Sequence, residues 1–187
     1  TVRTAKAPTP PAMAVRLRNL EGSNRQQEKL ASLGRMSAGL AHELNNPAAA
    51  AQRIAVYLGE VIQTIQGVAH ELHQTLEGDQ WERLIGLADG ALKNLATDGS
   101  NHSIEQSDSE DVLGVWLKEN DVPNAWKIAP ILVGAGLETN ALTSLRQDLP
   151  PASFANAIRW MALRLTIRSL LDDAEQCTER IASLVDA

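Results

Sequence analysis

The chain has 187 residues, of which 44% are hydrophobic and only 3% aromatic, and it carries a formal net charge of -6 at pH 7. That length suits one ordinary domain or two small ones, and an aliphatic, aromatic-poor mix favours packed helices over a β-sandwich or barrel. The acidic balance excludes a general nucleic-acid binder. Cys177 stands alone, which excludes an intrachain disulfide or a thiolate metal cluster. No apolar run approaches the roughly 20 residues that span a bilayer, and a cytoplasmic location is expected. The first residue is Thr1, not Met, as expected of a piece of a longer protein.

In chain order, Pro8, Pro10 and Pro11 sit in a small, polar setting that reads as a linker over residues 1–15. Residues 16–76 read as a first long helix, since Glu28 to Leu76 contains one proline, Pro47. At about 100° per residue, Leu30, Leu33, Met36, Ser37, Leu40 and Leu44 fall on one side. That stripe is wide enough to pack in a bundle. A helix of this length outruns a small globular domain and needs partner helices along it.

Residues 77–151 read as a helical insertion. Gly78 breaks the first helix, and Gln80 to Ala96 forms the next, with Trp81, Leu84, Leu87, Leu92 and Leu95 as apolar points. Thr97 to Ser109 is polar and reads as a loop. Ser107 with Glu110 forms a capping box ahead of a helix carrying Val112, Val115 and Trp116. Asp121-Val122-Pro123 ends that helix, and Pro123 suits the first turn of another, which carries Trp126, Ile128, Ile131 and Leu132 and stops near Gly134 or Gly136. A short helix follows through Leu142 and Leu145, closed by Leu149-Pro150-Pro151. Trp81, Trp116 and Trp126 are expected as core anchors, not a ligand cage. His70, His73 and His102 have no motif around them and read as surface residues. Residues 152–187 read as a second long helix, with Phe154, Ile158, Met161, Leu165, Leu170, Ala174, Cys177, Ile181 and Leu184 on its apolar side.

The chemistry lies in EKLASLGRMSAGLAHELNNP, Glu28 to Pro47. If Leu40 marks the buried side, His42 is about 200° away and points outward. Asn46, at i+4, shares its face, and Leu44 turns inward. Ser37, Ala38, Gly39 and Ala41 leave room for another molecule to approach. The Pro47 ring opposes the Glu43 carbonyl, so a bend is expected just past His42. Neutral imidazole offers a lone pair near pH 7. An exposed histidine beside a carboxylate is therefore suited to accept a phosphoryl group, with Glu43 as base. The Asn46 amide can orient a water or a phosphoryl oxygen. A His-Glu-x-x-His zinc site fails because position 46 is Asn, so no metal is expected.

This string resembles the phosphoacceptor box of bacterial two-component sensor histidine kinases. In that family Leu-Gly and a run of small and apolar residues precede His-Glu-hydrophobe-x-Asn/Thr-Pro. Here the string is Leu33-Gly34, then Ala41-His42-Glu43-Leu44-Asn45-Asn46-Pro47. The resemblance implies that His42 is phosphorylated, that Glu43 is the assisting acid/base, and that Asn46 aids removal of phosphate from the response regulator. It also implies an all-α fold in which two long helices form a hairpin, with Leu163 to Ala187 as part of the second. Two hairpins then make a homodimeric four-helix bundle. The implied partners are a response-regulator receiver domain and the protein's own ATP-binding domain, which would hold Mg-ATP in the full-length chain. That domain's Asn-rich box and Gly-rich loops do not occur here, and Asp89-Gly90 and Asp98-Gly99 read as turns. No cofactor, nucleic acid or membrane contact is therefore expected of this piece, whatever membrane attachment the parent protein has. The family's hairpin loop is short, whereas Gly67 to Pro151 intervenes here. The rival reading is a non-catalytic helical dimerisation or signalling-scaffold module, and acid-labile phosphate on His42 separates the two.

Overall fold

The computed structural model describes residues 10–97 and 104–186. In order these form α1 (Pro10–Thr75), α2 (Gly78–Thr97), α3 (Ile104–Glu119), α4 (Ala125–Gly134), α5 (Thr139–Asp148) and α6 (Pro151–Val185). Among the described residues there is no strand. The protein is all-α, with two long helices separated in sequence by four shorter ones. No single described helix is long and apolar enough to cross a membrane.

Three boundaries differ from those the sequence predicts. Helix α1 begins at Pro10, inside the stretch read as linker. A proline is well tolerated in a first helical turn, where its missing N–H would have no intrahelical partner. Helix α3 begins at Ile104, ahead of the Ser107–Glu110 capping box. Ser107, Asp108 and Ser109 are exposed, so their polarity marks the solvent face of a helix and not a loop. Residues 98–103, with His102 and Asp98-Gly99, lie outside the described residues, whereas Asp89-Gly90, read as a turn, lies inside α2. Pro123 precedes α4 without entering it. Asp121 and Asn124 on either side take left-handed backbone angles, φ 57° and 56°, which short polar side chains tolerate. The Val122 amide closes α3 by donating to the Leu117 carbonyl at 3.0 Å.

The remaining breaks fall where glycine and proline put them. Gly136, at φ +71°, ends α4, and its amide donates to the Val133 carbonyl at 2.8 Å while that of Leu137 reaches Leu132 at 2.9 Å. Leu149 is extended, as the residue before a proline prefers. Pro151 then opens α6, so one proline pair both stops α5 and starts its successor.

The chain divides into two compact units, one of residues 1–49 with 180–187 and the other of residues 50–179. The second unit holds the core. Val68 and Leu72 of α1 and Phe154, Ile158, Met161 and Leu165 of α6 meet Leu84 of α2, Leu113 and Leu117 of α3, Leu132 of α4 and Leu142 of α5. The insertion is therefore packed against the two long helices and is not a loose loop. Trp116 meets Phe154 edge-on, with centroids 6.0 Å apart. Trp81 lies 4.2 Å from the His73 ring and 5.0 Å from Trp160. Both tryptophans pack on the core, as expected. Trp126 does not, being 72% exposed. The helical spacing put it beside Ile128 and Ile131, but α4 buries Ala125, Ile128, Ala129 and Leu132 instead.

Polar contacts fix the register of these helices. The Ser153 hydroxyl donates to Thr75 Oγ1 at 3.0 Å, and Asn156 Nδ2 donates to Glu71 Oε2 at 2.9 Å. Arg164 pairs with Asp89 at 2.9 Å, and Gln80 Nε2 donates to the Asp148 carbonyl at 2.8 Å. Each joins a long helix to another element or, for Gln80, ties the start of the insertion to its end.

Phe154→Ala is expected to cost about 3–5 kcal/mol by removing a fully buried ring, read from urea unfolding. A loss under about 1 kcal/mol would contradict the described packing. Gly136→Ala is expected to destabilise by about 1 kcal/mol or more. Its φ is left-handed, and the added Cβ would stand 3.1 Å from Asn94 Nδ2.

Candidate functional site

Residues 28–47 lie within one uninterrupted helix, α1. The local sequence supports this, because Ala, Leu, Met, Arg and Glu are strong helix formers. Gly34 and Gly39 weaken the helix slightly, and nothing lies within 4 Å of where a Cβ would stand at either. Pro47 sits inside the helix and is buried. It supplies no N–H, so the Glu43 carbonyl loses its usual helical donor within this turn.

His42, Glu43 and Asn46 are all exposed, whereas Leu44 is half-buried. His42 and Asn46 are one turn apart and therefore share a helix face. Glu43 is the next residue along, about 100° around the axis. Among the described residues none of the three has a hydrogen-bond or ion-pair partner. Ser37, Ala38, Gly39 and Ala41 are exposed as well, so the flank N-terminal to the imidazole carries only small side chains. The arrangement is an imidazole free on both nitrogens, an adjacent carboxylate, and an amide one turn on. It can accept an electrophile from solvent or from a docked domain without first breaking an internal contact.

The apolar side of the same stretch departs from expectation. Leu40, the marker of the buried side, is 44% exposed; Leu33 is 61% exposed and Met36 71%. The stripe exists as read, but within this single chain it is open to solvent. Further along α1 the apolar side is covered, with Val61, Val68 and Leu72 buried.

The sequence reading missed a groove in the second unit that brings Lys127 of α4 and Arg159 of α6 to one cavity. The two residues are far apart in the chain and share no local spacing. Only the packing of α4 on α6 could have found them.

Comparison with known proteins gives a partial likeness. Over 68 residues the chain is 35% identical to the sensor histidine kinase ZraS of Escherichia coli O157:H7 and, equally, to that of strain K12. The match takes in 35% of this chain but only 15% and 14% of those relatives. No protein-family model matches the chain, and no solved structure matches it. The chain thus carries a region similar to a sensor histidine kinase.

The exposure of His42 has a direct chemical readout. Diethylpyrocarbonate is expected to carbethoxylate His42 as readily as exposed His70, measured by peptide mass spectrometry. Strong protection of His42 relative to His70 would contradict the described site.

Proposed function

We propose that this chain is the dimerisation and phosphoacceptor region of a sensor histidine kinase, with His42 as the residue phosphorylated. The observation that carries the reading is an imidazole exposed on a long helix, with Glu43 adjacent and Asn46 on the same face one turn on. The partial identity to the ZraS kinases supports it.

In this reading an imidazole nitrogen of His42 attacks the γ-phosphorus of ATP held by a separate catalytic domain. The N–P bond forms as the P–O bond to ADP breaks. Glu43 takes the proton from the other ring nitrogen, which prevents positive charge from building on the ring. The phosphoryl group then passes to an Asp carboxylate of a response-regulator receiver domain, with the N–P bond breaking as the acyl phosphate forms. Asn46, which does not titrate, orients the water that later hydrolyses that acyl phosphate.

A homodimer is part of the same proposal. An apolar stripe of Leu30, Leu33, Met36 and Leu40 lying open along one helix has the pattern of a bundle seam awaiting a partner helix. Two copies pairing these stripes would cover them and leave His42, on the opposite side, accessible.

The decisive test supplies a catalytic domain and radiolabelled ATP to this chain. Acid-labile label is expected on the unaltered protein and none on His42→Gln, with the two eluting identically by size. Label surviving His42→Gln would remove the assignment, and no label on either protein would leave the scaffold reading in its place. Asn46→Ala is expected to keep phosphorylation while slowing dephosphorylation of the regulator by about tenfold or more; equal rates would refute its role. Replacing Leu33, Met36 and Leu40 together by Ser is expected to shift analytical ultracentrifugation toward monomer while leaving urea unfolding of the second unit unchanged. An unshifted profile would refute the seam.

A further inference from the structure

A groove of about 390 Å³ runs between α1, α4 and α6, wholly inside the second unit. Its volume lies within the usual range for small-molecule sites. Ile128, Ile131 and Leu163 give it an apolar floor, and Tyr57, Lys127 and Arg159 stand on its rim.

Its charge is one-sided. No carboxylate lines the groove, although the chain as a whole carries a net charge of -6. Three arginines of this unit are paired with carboxylates: Arg83 with Asp79 and Asp148, Arg164 with Asp89, and Arg168 with Asp172. Arg159 has no such partner among the described residues. Lys127 has only the face of the exposed Trp126 ring, 5.0 Å from its ammonium. The neighbouring groove beside Trp126 differs, since Glu110 and Asp111 accompany its Lys118. Two unneutralised cations above an aliphatic floor, with a phenol at the edge, complement a molecule with an anionic head and an apolar body.

We propose that this groove binds a small amphipathic organic anion, a carboxylate with an apolar tail or ring. The head group takes a charge-assisted hydrogen bond from the Arg159 guanidinium and the Lys127 ammonium. The body lies on Ile128, Ile131 and Leu163. Such a ligand touches α4 of the insertion together with α1 and α6, and so joins the insertion to both long helices. That gives the insertion a task of its own, one that does not depend on the chemistry of His42.

The test uses the full 187-residue chain, ¹⁵N-labelled, with octanoate as probe and octanamide as its uncharged counterpart. Saturable amide shifts are expected at Tyr57, Lys127 and Arg159, with octanamide binding at least about tenfold more weakly. Arg159→Glu and Lys127→Glu are each expected to weaken octanoate about tenfold or more, with Arg159→Gln intermediate. These side chains are exposed, so the spectra should otherwise stay folded. Lys118→Glu, in the neighbouring groove, is expected to leave the affinity unchanged. Equal binding of octanoate and octanamide, shifts centred on Leu33–Leu40 or on Val115 and Trp126, or no saturable binding into the millimolar range would each overturn the proposal.

Discussion

The structure depends on covering an aliphatic stripe that runs most of the length of α1. A helix of 66 residues cannot be stabilised by local propensity; it needs a packed face along its axis. From Val68 to Leu72 that requirement is met, and the residues facing the stripe come from the insertion and from the first half of α6. From Leu30 to Leu40 the same pattern is open to solvent. One helix thus has a satisfied segment and an unsatisfied one. His42 stands just beyond this open segment, on the face opposite the stripe. Burial of that stripe and access to His42 do not compete, because about 200° of helix surface separates Leu40 from His42.

Much of this was legible in the sequence, because it rests on local rules. The order of helices follows from glycine and proline: Gly78, Pro123, Gly136 and the Pro150-Pro151 pair each fall at or beside a boundary. The site is readable for the same reason, since His42 and Asn46 share a face of one helix whatever the rest of the chain does. The failures arise where tertiary packing decides. Trp126 looked like an anchor because it is large and apolar, but α4 turns Ala125, Ile128, Ala129 and Leu132 to the core and leaves the indole outside. Ser107, Asp108 and Ser109 looked like loop because they are polar, yet a helix with one solvated face needs such residues. Lys127 and Arg159 are joined only by the packing of α4 on α6, which no spacing encodes.

Pro47 illustrates how one residue can serve both fold and site. An interior proline usually costs a helix about 3 kcal/mol. Here α1 continues through it, and its ring is buried, which returns part of that cost as apolar contact. What remains is a carbonyl at Glu43 relieved of its helical donor, in the turn that carries His42. In the phosphoacceptor reading this keeps the backbone around the imidazole less tightly held than a regular helix would, at the place where another domain has to approach.

A segment of this size between two helices that belong together would be costly if it were unstructured. Closing a longer loop costs little extra entropy by itself, about 0.6 kcal/mol per doubling of length. The larger cost is ordering the residues, which only burial can offset. Helices α2 to α5 offset it by building a core into which both long helices insert Val68, Leu72, Phe154 and Leu165. The insertion is therefore anchored to both long helices at the aromatic cluster of His73, Trp81 and Trp160 and at the Arg164–Asp89 pair. A ligand that changed how α4 seats on α6 would act on the same core that holds α1.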